Sequence, residues 1–140
     1  MRSECIAFQK RPTDSNPTCS YAHDEYTQFM ETQGFVVERH YLLETAWVAS
    51  YTHQGKGNDG HTAVLGVNSE MDALPGIGHA CGHNLIGIAG VAVACAVKAV
   101  LETLGIGGKV VLLGTPGEPL PRRTKRTALG MALMSYFLLR

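Results

Sequence analysis

Between Ser20 and Gly34 the segment SYAHDEYTQFMETQG sets Ala22, Tyr26, Phe29 and Met30 at helical spacing among polar neighbours. Apolar side chains three and four residues apart share one side of a helix. The spacing therefore predicts a short amphipathic helix with Ser20 as N-cap and Gly34 as C-cap. The period then changes. FVVERHY and TAWVASYT are rich in β-branched and aromatic residues, and the turn-forming GKGNDG leads into TAVLGVNS. Residues 35–69 accordingly read as three strands. A Pro/Gly turn at ALPGIG precedes an apolar run that predicts a helix over residues 85–104, ended by Gly105. GKVVLLGT follows, a mostly apolar strand of the kind buried in a parallel sheet. Helix, strands, helix and strand in that order predict an α/β sandwich.

The apolar run from Leu85 to Val100 is broken only by Lys98. It is shorter than the roughly 20 residues a membrane span needs. It reads as a buried core helix, and no membrane partner is expected.

Composition narrows the class further. The 140 residues suit one compact domain, and 45% hydrophobic with 17% charged residues is a globular composition. A formal net charge of zero argues against a nucleic-acid or acidic-membrane partner. The balance conceals an asymmetry, because all 12 acidic residues precede residue 119, whereas the tail carries Arg122, Arg123, Lys125, Arg126 and Arg140 and no acid. That tail reads either as a basic or membrane-surface patch or as a divergent C-terminus. The chain divides into an irregular lead-in over 1–19, a domain portion over 20–118 and a basic, apolar tail over 119–140. Cys5, Cys19, Cys81 and Cys95 form neither a CxxC pair nor a dense cluster, and no basic-then-apolar leader opens the chain. A reducing, cytoplasmic setting is expected. Cys95, among Val, Ala and Leu, is assigned to core packing, and Trp47 and Tyr51 to the sheet.

The chemistry concentrates in GHACGHN, residues 78–84. Thiolate and neutral imidazole are preferred zinc ligands, and Cys81 and His83, two apart, can point to one side of a short extended segment. Asn84 is a good N-cap for the helix that follows, which would put Cys81 near a helix N-terminus, where thiolate is favoured. The same features suit a nucleophilic or redox cysteine activated by His79 or His83. In LLGTPGEP a buried strand ends in a Gly/Pro turn and delivers Glu118, either a general base at the carboxyl edge of the sheet or a solvated loop residue. In SEMDALPG, Asp72 either orients a ligand imidazole or stabilises its own turn.

Taken together, NSEMDALPGIGHACGHNLIGIAG, the helix after it and GKVVLLGTPGE resemble the dinuclear-zinc amidohydrolases of the aminoacylase and carboxypeptidase superfamily, peptidase family M-twenty. The resemblance covers residues 20–118. It implies part of an α/β/α zinc-peptidase catalytic domain, a mixed sheet with flanking helices, usually interrupted by a lid and dimerisation domain that is not expected in this chain. It also implies hydrolysis of amide bonds in small dipeptides or N-acyl amino acids. In one branch the substrates would be β-alanyl- or γ-aminobutyryl-lysine dipeptides. By the same resemblance Cys81 and His83 match metal ligands, and Asp72 matches a supporting aspartate. Glu118 matches the general base that takes a proton from the attacking water and passes it to the leaving amine. Two zinc ions are expected in the complete site and at most a partial site here. For the full-length family enzyme the resemblance also leaves room for a homo-oligomer.

Pro119 departs from the pattern, standing where the family places a second, metal-binding glutamate, and proline offers no side-chain oxygen. His23, His40, His53 and His61 do not correspond to the family's further ligand histidines, and surface or strand-facing roles are expected for them. A chain cut short by a shifted frame, a retained intron or a faulty gene model is the simplest expectation, with little or no hydrolase activity alone. A non-catalytic metal-binding or pairing module and a thiol enzyme using Cys81 are the alternatives.

Overall fold

The computed structural model describes residues 17–55, 63–73 and 77–116. The N-terminal lead-in, His61, Glu118, Pro119 and the basic tail lie outside the described residues, as do residues 56–60 of the GKGNDG connection.

Helix α1 spans Pro17–Thr32 and starts ahead of Ser20, which lies inside the helix and does not cap it. Pro17 opens it, a position where proline's missing N–H removes no helical bond and its fixed φ is already helical. Ala22, Tyr26 and Met30 form the buried row, as their spacing implies, but Phe29 stays exposed. The adjacent buried row is polar. Thr27 returns its hydroxyl to the His23 carbonyl at 2.7 Å. His23, expected in a surface or strand-facing role, is only 2% exposed, stacked on the His40 ring and paired through Nδ1 with Asp24. At the helix end Gly34 adopts φ 78° and Phe35 turns into the core.

Strands β1 (Val36–Arg39), β2 (Trp47–His53), β3 (Val64–Glu70) and β4 (Gly108–Thr115) form one sheet in the order β1-β2-β4-β3. The first two pairings are antiparallel and β3 pairs β4 in parallel. Helix α2, His83–Leu104, makes the crossover between the parallel strands. This is the α/β organisation that the element order implies, with the mixed sheet and flanking helices that the family resemblance implies. Strand alternation sends Trp47 and Ala49 of β2 and Val110 and Leu112 of β4 to the face covered by Tyr26 and Met30 of α1 and Val91 and Ala94 of α2. Both helices thus cover one face. Val48, Val111 and Leu113 form a smaller apolar cluster on the opposite face, and β4, apolar on both sides, is accordingly the most buried strand.

The apolar run 85–100 is not a fully buried helix. Gly87, Gly90, Val91 and Ala94 face the sheet, while Leu85, Ile86, Val93, Val100 and Leu104 are exposed. At 22 residues α2 is long and apolar enough to cross a membrane by length and composition. Its docked face is what assigns it to the domain core.

Tyr51 closes the far end of the α2–sheet contact. Its hydroxyl donates to Glu102 at 2.8 Å, Lys98 pairs with the same carboxylate at 2.9 Å, and the ammonium lies 4.8 Å from the Tyr51 ring centroid. The bond to Glu102 raises the Tyr51 pKa, since ionisation would place phenolate against carboxylate. The raised value means that this contact's contribution is full below the ordinary phenol pKa and is lost as pH rises through the higher one. Ultraviolet titration should show Tyr51 ionising late, and Glu102→Gln should bring it back towards the ordinary range. An unchanged titration in that variant would refute the coupling.

Candidate metal centre

The carboxyl ends of β3 and β4 lie side by side, with Glu70 in register with Thr115 and the Met71 N–H donating to the Thr115 carbonyl. In extended backbone, residues two apart share a side. Met71 accordingly goes into the core, 2% exposed, where its sulfur accepts from Trp47 Nε1 at 3.2 Å. Glu70 and Asp72, on either side of it, can then reach a common point.

His83 meets them there as the first residue of α2. The residue before it, Gly82, takes a left-handed conformation with φ 77° and caps the helix without a side-chain bond. Asn84, expected as the N-cap, is therefore already helical. The turn at Gly82 also removes the extended segment on which Cys81 and His83 could point the same way.

His83 Nδ1 lies 2.5 Å from Asp72 Oδ1, and Nε2 lies 3.5 Å from Glu70 Oε2. Glu70, Asp72 and His83 each offer a donor atom within 4.8 Å of the others. Asp72 is buried, Glu70 and His83 partly exposed. A carboxylate at Nδ1 holds the proton on that nitrogen and leaves the Nε2 lone pair free. Two ligand atoms around tetrahedral zinc, each about 2.0 Å from the ion, stand about 3.3 Å apart. The gap between Nε2 and Glu70 Oε2 matches that spacing, so the residues fit a metal ion bound there with Asp72 behind the imidazole. Asn68 Nδ2 approaches Glu70 Oε1 at 3.4 Å and accepts from Thr115 Oγ1 through its own Oδ1 at 3.2 Å, which steadies the carboxylate from the β4 side.

Asp72 and His83, named from the sequence, are thus in contact. Cys81 is exposed and stands outside this group, with no hydrogen bond to either neighbouring histidine among the described residues. Glu118 lies outside the described residues. Glu70 was not singled out from the sequence, although the Glu-Met-Asp alternation, two carboxylates about one apolar residue, is a readable sign of it. Cys95 is half-buried beside the core and its thiol pKa is pushed up by that burial, which suits packing and not nucleophilic chemistry.

Comparison with known proteins adds to this picture. The chain is 39% identical over 126 residues to the Xaa-Arg dipeptidase of Mus musculus and 42% identical over 130 residues to that of Homo sapiens, in each case over 83% of this chain. It belongs to the M-twenty peptidase superfamily. A third M-twenty relative, a subunit of the p-aminobenzoyl-glutamate hydrolase of Escherichia coli, is 38% identical over 107 residues, or 64% of the chain. The chain spans 29% and 30% of the length of the two dipeptidases and 21% of that hydrolase polypeptide. No family model matches it. The described α/β unit is thus part of an M-twenty peptidase domain, and the cluster at the carboxyl edge of its parallel strands is its candidate metal centre.

Proposed function

We propose that this M-twenty chain contributes one side of the metal centre of a hydrolase that cleaves amide bonds in small dipeptides or N-acyl amino acids. The observation that carries the reading is His83, with Asp72 at Nδ1 and Glu70 at Nε2, set at the carboxyl edge of parallel strands in a chain related to two dipeptidases. Zinc is the metal we propose, on the strength of the imidazole and carboxylate donors and the spacing they share. When bound it would polarise an amide carbonyl and make an attacking water more acidic.

In this reading Glu70 and His83 bind the ion, and Asp72 keeps the imidazole in the Nδ1-protonated form. Cys81, exposed two residues before His83, is proposed as a further donor as thiolate. Glu118 is proposed as the base that removes a proton from the attacking water and returns it to the departing amine. The proposed substrates join β-alanine or γ-aminobutyrate to a basic residue such as lysine; the names of the two dipeptidase relatives support a basic residue on the leaving side.

Pro119 supplies no side-chain oxygen at the position of the family's second glutamate, and only one three-donor group occurs among the described residues. We therefore expect the purified chain to retain zinc after dialysis, by elemental analysis, yet to turn over β-alanyl-lysine at a negligible rate. Failure to retain zinc would overturn the metal-centre reading. Turnover typical of a complete dipeptidase would overturn the expected inactivity. Zinc retained without turnover of any dipeptide or N-acyl amino acid, even in Pro119→Glu, would favour a non-catalytic metal-binding module.

A further inference from the structure

Ser69 lies on β3 between Asn68 and Glu70 and is 0% exposed. Its hydroxyl donates to the backbone carbonyl of Gly87 at 2.9 Å. Gly87 sits one helical turn beyond His83 on α2, so this bond joins the strand residue next to Glu70 to the turn that presents His83. A carbonyl has two lone pairs, and the hydroxyl can use one while the helix uses the other.

The surrounding contacts leave the helix little freedom. A Cβ on Gly87 would stand 2.8 Å from the Glu70 backbone oxygen, and one on Gly90 would stand 2.8 Å from that of Asn68. The helix backbone therefore rests directly on the strand, with no long side chain between them to take up a displacement. Glycines permit close approach but do not specify where along the strand the helix stops. A directional bond does. A slip of one residue along the helix axis, about 1.5 Å, would break the fit of His83 between Asp72 and Glu70.

We propose that Ser69 is a positioning residue of the metal centre: its bond to Gly87 fixes α2 along β3 so that His83 Nδ1 meets Asp72 while Nε2 faces Glu70. The proposal rests on the metal-centre reading above. Its mechanism is confined to the protein's own groups, and it holds in the metal-free chain as well.

The test compares Ser69→Ala, which deletes the donor, with Ser69→Thr, which keeps it, and with Val91→Ala, which weakens the same helix–sheet contact without touching the bond. All are studied in the full chain below their unfolding transitions. Chelator competition should show zinc affinity falling about 10- to 100-fold in Ser69→Ala, the range seen when a residue supporting a ligand is lost. Ser69→Thr and Val91→Ala should remain near the unsubstituted chain. In zinc-free protein, nitrogen-edited NMR should show the His83 Nδ1 proton protected from exchange by Asp72 in all but Ser69→Ala. An unchanged affinity and an unchanged protected proton in Ser69→Ala would overturn the proposal, as would equal losses in Ser69→Ala and Ser69→Thr. If the unsubstituted chain binds no zinc, the proposed function fails, and the NMR comparison alone still decides the role of Ser69.

Discussion

His83→Ala should weaken zinc binding by more than about 100-fold, beyond the loss typical of a supporting residue, while leaving the chain folded. The imidazole is the one neutral donor of the group and the point at which both carboxylates converge, Asp72 at Nδ1 and Glu70 at Nε2. Removing it leaves two carboxylates with no imidazole between them, so residual binding should be weak and non-selective. Glu70→Gln preserves size and should produce the next largest loss, because it removes the charge opposite Nε2. Asp72→Asn should cost about 10- to 100-fold, since an amide can no longer hold the Nδ1 proton as strongly. Cys81→Ala measures whether the exposed thiol joins the ion. A loss would add Cys81 to the ligands, and unchanged affinity would remove it while leaving Glu70 and His83 in place. The centre itself would be refuted by zinc affinity that His83→Ala leaves within about threefold, well short of the outer-residue range. The readout is chelator competition with far-ultraviolet circular dichroism as the check on folding.

Gly114→Ala should be among the most destabilising single substitutions in the domain. Gly114 pairs with Trp47 across β2 and β4, and a Cβ there would stand 2.1 Å from ring atoms Cε2 and Nε1. The ring is 0% exposed and its Nε1 is held by the Met71 sulfur, so it has no solvent to retreat into. Overpacking a filled core costs about 1–3 kcal/mol and occasionally more, and a rigid indole at this separation should put the loss at or above the top of that range. Gly66→Ala is the control, since a Cβ there meets nothing within 4 Å on the edge strand. Urea denaturation followed through Trp47, the single tryptophan, should give a much lower midpoint for Gly114→Ala than for Gly66→Ala. Equal midpoints would show that the ring is not confined as described. Because Met71 lies between Glu70 and Asp72, the same displacement should also loosen the metal centre.

Much of this was readable along the chain, for reasons that are local. The helix rows at Ala22, Tyr26 and Met30, the strand character of TAWVASYT and GKVVLLGT, and the glycine stops at Gly34 and Gly105 each depend on residues within a few positions of one another. The errors share a different cause. Phe29 fits the helical period as well as Met30 does, but the direction of the sheet decides which row is covered. Nothing in the apolar run after Asn84 tells that Gly87, Gly90, Val91 and Ala94 face the sheet while Leu85 and Val93 face outward. Surface and strand-facing roles were both open for His23; the β1–β2 connection, which brings His40 over its ring, belongs to the tertiary structure.

The site divides in the same way. The residue types of GHACGHN and SEMDALPG pointed to reactive chemistry without any structure, because thiol and imidazole serve either as metal ligands or as nucleophile and base, and a nearby carboxylate can support an imidazole. Adjacency in sequence paired Cys81 with His83; a left-handed turn at Gly82 lies between them, and the donors grouped around His83 are the carboxylates of Glu70 and Asp72. What the sequence determined by itself was the set of local elements and the chemical vocabulary, since both follow from spacing and side-chain type. The tertiary structure decided which donors share a point. The parallel pairing of β3 with β4, and a helix resting on strand backbone at Gly87 and Gly90, bring Glu70, Asp72 and His83 together. Such contacts depend on packing between segments far apart in the chain.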